Sequence, residues 1–251
     1  MRRKILFLII AMTLFATAAA YAQRGGGGAR GAAPAARQAA PIDLSGYWVS
    51  VIFEDWKLRM VTPGKGVVNA LTLNPAGRKV ADSWDPEADE KSGDVCKAYG
   101  APAIMRLPTR LHITWENDNT LRIDTDTGTQ NRRFQFGTAV PPAGEPSLQG
   151  HSVAQWEFGA GRAGQPQTGN LKVVTTNLKA GYIRKNGAPY SDKTTLTEYY
   201  DLHRLPNGDQ WLSITTRVDD PVYFSRAMTN TSDFKKLPNA NCWNPTPCSA
   251  R

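Results

Sequence analysis

Leu111, Ile113 and Trp115 alternate with Arg110, His112, Thr114 and Glu116, and after Asn117-Asp118-Asn119 the alternation resumes at Leu121 and Ile123. A period of two places every apolar side chain on one face of a strand, so the segment reads as a half-buried antiparallel hairpin. One dry face obliges the rest of the chain to cover it. The same grammar recurs at Gly46 to Phe53, Lys57 to Val61, Val67 to Leu73, Thr129 to Phe136, Ser152 to Phe158, Leu171 to Thr176, Thr194 to Leu202, Gln210 to Val218, Val222 to Phe224 and Asn230 to Lys236. Pro206-Asn207-Gly208-Asp209 joins two of these runs, and Asn-Gly accepts the positive φ that tight hairpins need. A single helix is expected, with Asn74 as N-cap, Pro75 at the first position and its end near Trp84. The acidic stretch Asp85 to Glu90 reads as a solvated loop, since its spacing matches no EF-hand. The fold class expected is all-β: an antiparallel barrel or sandwich of about ten strands with one short helix, formed by residues 42–251 as one domain.

Seven Trp, eight Tyr and eight Phe in 251 residues exclude a wholly disordered chain. The formal charge of +8 suggests a polyanion partner until it is located. Six of the 30 basic residues (Arg2, Arg3, Lys4, Arg24, Arg30, Arg37) precede residue 42 with no acid among them, leaving 24 against 22 acidic residues in the remainder. A nearly neutral domain gives no electrostatic case for nucleic acid. Residues 1–22 read as a secretory signal peptide: a basic start, an apolar run from Ile5 to Phe15, and Ala20-Tyr21-Ala22 before the expected cleavage. That run is short of the roughly 20 residues that span a bilayer, so no stable insertion is expected after cleavage. Residues 23–41 are a flexible Gly/Ala/Pro/Arg linker. A periplasmic or secreted location follows.

An exported chain meets oxidising conditions, so one disulfide is expected among Cys96, Cys242 and Cys248, with one thiol left over. Cys242 and Cys248 flank a short loop stiffened by two prolines. Cys96–Cys248 closes a far longer loop and pins the C-terminal tail, and is preferred because longer loops give more stabilisation in the chain-entropy model. No Cys/His cluster has zinc spacing, and no metal or cofactor is expected.

Asp43-Leu44-Ser45-Gly46-Tyr47-Trp48 resembles the opening strand of lipocalins and related calycins, whose Gly-x-Trp closes one end of the barrel. The resemblance implies a lipocalin-like barrel with Trp48 buried. From Cys96 to about Phe234 the chain also resembles a group of uncharacterised exported bacterial proteins. The likeness is carried by Gly150-His151-Ser152-Val153 with Trp156, by Gly181-Tyr182-Ile183-Arg184-Lys185-Asn186-Gly187, by Tyr190-Ser191-Asp192, by Glu198 and by Asp219-Asp220-Pro221. In that group Trp-Glu-Gly-Asp is the usual sequence after the His motif, whereas Trp156-Glu157 is followed here by Phe158 and a Gly/Gln-rich excursion to Gly169. The group brings no agreed activity with it.

No nucleophile elbow, P-loop, dinucleotide fingerprint or HExxH motif is present. The candidate catalytic residues are His151, a general base near neutral pH if it enters the interior, and Glu198, which shares a strand face with Leu196 and Tyr200. A carboxylate there needs a partner, and Arg133 or Arg184 is expected to supply it. Tyr182, Arg184 and Asn186 lie in a polar loop suited to ligand contacts, and Asp220 lies where a strand stops before proline. The leading functional reading is an exported lipocalin-like barrel that binds a small, largely apolar ligand. The alternatives are a periplasmic lyase, isomerase or hydrolase using His151 and a carboxylate, and a filled barrel serving as an interaction domain.

Overall fold

Nine of the alternating runs pair into a closed barrel in the order β1-β11-β10-β9-β6-β5-β4-β3-β2, with β1 bonding β2 to close the circle. The strands are β1 (Gly46–Val51), β2 (Arg110–Asn117), β3 (Thr120–Thr125), β4 (Asn131–Phe136), β5 (His151–Phe158), β6 (Gly169–Thr176), β9 (Thr195–Arg204), β10 (Gln210–Asp219) and β11 (Met228–Leu237). A separate hairpin is made by β7 (Gly181–Arg184) and β8 (Ala188–Tyr190). The computed structural model describes residues 34–137, 144–160 and 168–251. The expected signal peptide, the linker up to residue 33 and residues 161–167 of the Gly/Gln-rich excursion lie outside them. Ala35–Arg251 form one compact unit.

The expectation of a purely antiparallel sheet needs correction at one place: β4 and β5 run parallel. Parallel neighbours need a connection of about a dozen residues, a length that the sequence between Phe136 and His151 has. The chain re-enters the sheet at Gly150, whose φ is +62°, and where a Cβ would lie 2.4 Å from the Thr176 carbonyl oxygen. Only glycine fits so close an approach.

Among the described residues four short helices replace the single one expected. Lys57 to Val61 forms α1 (Trp56–Met60), not a strand. Its Trp56/Leu58/Met60 alternation suits a strand, but β1 is already bonded on both edges. Asp55, at φ 49°, turns the chain out of β1 and its carbonyl accepts from Leu58 and Arg59. The helix α2 (Pro75–Ser83) is the expected one, with the Asn74 side chain accepting from the Gly77 amide. The acidic stretch forms α3 (Pro86–Ser92), capped by Asp85 and ended by left-handed Gly93; Glu87 and Asp89 in its first turn suit the helix dipole. A 3-10 turn at Lys97–Tyr99 leads into α4 (Ala101–Ile104). Val67 to Leu73 and Val222 to Phe224 contribute a lone bridge, Leu73 to Phe224.

Inward-facing residues form two apolar clusters. One fills the barrel with Trp48, Leu111, Ile113, Ile123, Phe134, Leu171, Tyr200, Leu212, Ile214 and Phe234, none with measurable exposure. The other, under α2, α4 and the β7–β8 hairpin, contains Leu73, Leu178, Tyr190, Leu196, Val218, Phe224 and Met228, and plugs one mouth. At the opposite mouth Trp115, Phe136 and Trp156 pack at 5.3–6.5 Å between ring centres. The Trp156 indole donates to the Ala36 carbonyl. Residues 35–41, expected as linker, therefore belong partly to the barrel: the Ala36 amide donates to Asn119 Oδ1 and the Arg37 amide to the Asp118 carbonyl.

Between the two clusters runs a polar layer. Arg132 on β4 donates to both Glu198 oxygens, at 2.8 and 2.6 Å, with both side chains wholly buried. It also reaches Thr175 Oγ1, which is 2.7 Å from Ser152 Oγ, and stacks on Phe134. Tyr200 donates to Glu198. Burial works to lower the Arg132 pKa, but the Glu198 carboxylate and Tyr200 outweigh it and hold it above its ordinary value.

Two predictions follow from this architecture. Arg132→Met leaves a buried, unpaired carboxylate and should cost about 3–5 kcal/mol in urea denaturation at pH 7. Replacing both partners (Arg132→Met with Glu198→Leu) should recover most of that loss; a double variant as unstable as the single one means that packing, not unpaired charge, is responsible. Cys96 and Cys248 are bonded across 152 residues and Cys242 is exposed, so thiol titration under denaturing, non-reducing conditions should find one reactive cysteine per chain. Finding three disproves the bridge.

Candidate functional site

The residues expected to form an internal catalytic site do not meet. Glu198 is sealed in the polar layer, and its partner is Arg132, not Arg133 or Arg184. His151 begins β5 on the outer face, one residue before inward-facing Ser152. The barrel wall thus separates His151 from Glu198, and the proton-transfer pair does not assemble. His151 instead lines an outer groove of about 380 Å³ with Gln130, Asn131, Arg133, Gln135 and Gln149. Arg133 points outward there and donates to Glu116 at 2.7 Å and to Asn131.

The remaining expected ligand contacts are committed to the fold. Asp220, 4% exposed, accepts from the Ser191 amide and hydroxyl, the Thr194 hydroxyl and the Val222 and Tyr223 amides. With so many bonds it clamps the β8–β9 loop to the turn after β10. Asn186, wholly buried, donates to the Gly64 and Val67 carbonyls. Tyr182 donates to Asp89 at 2.9 Å, and Lys97 binds the other oxygen of the same carboxylate at 2.7 Å. Arg184 donates to the Val67 and Asn69 carbonyls and lines two small cavities at the plugged mouth.

The lumen offers no ligand space at the level of the main cluster, because side chains with no measurable exposure leave no room for even a water molecule. The largest departure from ordinary surface chemistry lies outside, around α1. Phe53 is 60% exposed, Trp56 56%, Met60 58% and Val61 66%. Trp56 and Met60 form one wall of a groove of about 520 Å³ whose other residues are Val49, Ser50, Ile52, Pro108, Thr109 and Arg110. Phe53 stacks on Trp211, 6.1 Å between ring centres, and extends the apolar surface along the barrel wall.

The sequence places these side chains for a local reason. A helix of five residues does not hold itself together. α1 is fastened from below by Arg59, whose Nε donates to the Arg106 carbonyl, and by Asp55, which accepts from Arg106 Nη2 at 2.9 Å. Trp56 and Met60 are thereby turned outward beside the β1–β2 edge. One polar group at the groove is fixed as well: Arg110 Nη1 donates to buried Asp126 at 3.0 Å, which also accepts from the Arg110 amide and the Thr109 hydroxyl.

Among the described residues, no three His, Cys, Asp or Glu side chains are grouped to hold a metal ion, and no helix is long and apolar enough to cross a membrane. Comparison with protein-family models, with curated proteins and with solved structures finds no match to the chain.

The Asp89–Lys97–Tyr182 cluster sets an alkaline limit on stability. Burial and the Asp89 bond raise the Tyr182 hydroxyl from 10.0 to about 12. For Lys97 burial acts downward, but the bonds to Asp89 and Asp94 prevail and raise it from 10.5 to about 12. Both groups keep their protons longer in the folded chain. Their stabilising contribution is therefore complete below pH about 10 and is lost as pH rises through about 12. Thermal denaturation followed from pH 8 to 12 should show the melting temperature falling across that interval, with a shallower fall for Tyr182→Phe; an unchanged slope in that variant removes Tyr182 from the explanation.

Proposed function

We propose that this chain is an exported, lipocalin-like binding barrel that holds a small, largely apolar ligand in the groove beside α1, with the barrel interior serving as a packed scaffold. The observation that carries this reading is the contiguous apolar surface of Val49, Ile52, Trp56 and Met60 around a space of about 520 Å³. That volume falls within the range of small-molecule sites, roughly 300–1,000 Å³. Large exposed apolar side chains grouped together mark binding surfaces, whereas scattered ones do not. Arg110, held by Asp126, supplies an orienting polar group at the edge. The disulfide agrees with an oxidising compartment, and the export signal at residues 1–22 and the likeness to exported bacterial proteins belong to the same reading.

Titration with the neutral fluorophore N-phenylnaphthylamine tests it. Saturable binding at one site per chain is expected, with quenching of tryptophan emission. Trp56→Ala combined with Met60→Ser should weaken binding at least tenfold, equivalent to about 1.4 kcal/mol. Both side chains are exposed, so the fold should survive, as circular dichroism will show. Undiminished affinity in the double variant places the ligand elsewhere and overturns the reading.

A further inference from the structure

Beneath α1 the plugged mouth gathers positive charge in excess of the neighbouring carboxylates. Arg59, Arg106, Arg184 and Lys185 line one cavity of about 40 Å³ with Leu58, Ala103 and Ile183. Arg106 and Arg184 also line a second cavity of about 80 Å³, with Asp55 and Asn230. The side chain of Arg59 is 2% exposed, yet among the described residues neither Nη1 nor Nη2 has a hydrogen-bond partner; Glu54 is 3.6 Å from Nη1. Both amide atoms of the Asn230 side chain are likewise buried without partners among the described residues. Arg184 reaches, among the described residues, two carbonyls, each at 3.4 Å, and no carboxylate.

The charges do not balance locally. Four cations face Glu54, Asp55 and Asp233, and Asp55 is engaged by Arg106. Burial and the neighbouring Arg106 lower the Arg59 pKa to about 10, with Glu54, Asp55 and Asp233 only partly offsetting them. Burial and Arg106 lower that of Arg184 too. A buried guanidinium with idle donors costs several kcal/mol unless something accepts from it.

We propose that the cavity lined by Arg59, Arg106 and Arg184 is an oxyanion site for phosphate or sulfate, either as the free ion or as the terminal group of a monoester, with these three guanidinium groups as its ligands. Fork-shaped donors suit an acceptor with several oxygens. The cavity is small, about 40 Å³, which suits a compact ion. This site is independent of the apolar groove, since the cavities and the groove share no lining residue.

Differential scanning calorimetry of the mature chain at pH 7 and constant ionic strength tests the proposal, with chloride as reference and sodium phosphate, sulfate, acetate or glycerol phosphate added. Phosphate and sulfate should raise the melting temperature by about 2–4 °C at roughly five times their dissociation constant, and further in proportion to the logarithm of concentration above it. A larger rise with glycerol phosphate assigns the site to a monoester, and a rise with the inorganic ions alone assigns it to the free ion. The anion-dependent increment should vanish in Arg184→Gln and in Arg59→Gln, each read against its own chloride baseline, and persist in Lys172→Gln on the outer face of β6. No increment over chloride, an equal increment with acetate, or an increment retained in both arginine variants overturns the proposal. Trp56→Ala with Met60→Ser should keep the phosphate increment while losing the apolar fluorophore, so failure of one reading is distinguishable from failure of the other.

Discussion

Arg132 and Glu198 cross the barrel interior where no water reaches them, and the arrangement of the whole chain follows that pair. Two buried charges survive only if each satisfies the other; both Glu198 oxygens are met and Arg132 Nη2 also reaches Thr175, while Arg132 Nε is left without an acceptor among the described residues. Strands β4 and β9, separated in the sheet by β5 and β6, must therefore hold their registers to the residue. Thr175 and Ser152, on the two strands between, complete the chain of bonds. A slip of one residue in β4 turns Arg133 inward and Arg132 outward, and Glu198 loses its partner. The ion pair thus acts chiefly on specificity: it selects one register among those that apolar packing alone tolerates.

The polar layer also divides the interior into two apolar clusters, and each closes a mouth. One end is sealed by the aromatic group of Trp115, Phe136 and Trp156 with residues 35–42 laid over it. The other is plugged by helices and the β7–β8 hairpin, fastened by Asp220, Asn186 and the Asp89–Lys97–Tyr182 cluster. A barrel stoppered at both ends and filled between them has its chemistry outside. That is why binding is assigned to the flanks of α1, where a helix of one and a half turns turns Trp56 and Met60 to the outside and buries Arg59 beneath.

The two flanks of α1 differ in physical character. The apolar side has exposed surface that gains by being covered. The cationic side has buried donors that gain by being accepted from. Both depend on Arg106, whose carbonyl holds Arg59 and whose guanidinium holds Asp55. It anchors the helix and also sets its charge environment.

Much of the fold was legible in the residues. Period-two alternation at Leu111 to Trp115 and Leu121 to Ile123, Asn207-Gly208 at a hairpin, Asn74-Pro75 at a helix start, and a long-loop preference for Cys96–Cys248 are all local or statistical signals, and each has its counterpart in the structure. The partner of Glu198 was misread as Arg133 or Arg184, although the parity set by Phe134 and Phe136 on β4 turns Arg132 inward and Arg133 outward. Other features were decided only by tertiary structure. Trp56, Leu58 and Met60 alternate like a strand, and the segment is helical because β1 has no free edge to offer it. The parallel pairing of β5 with β4 is a long-range choice that no local pattern encodes. Asp220 and Asn186 read as available polar groups until the loops they hold come together around them. Local pattern determines which way a side chain faces relative to its own strand. What that face then meets depends on residues far away in the chain, and for this protein that distant packing, not any motif, filled the lumen and set the candidate sites beside α1.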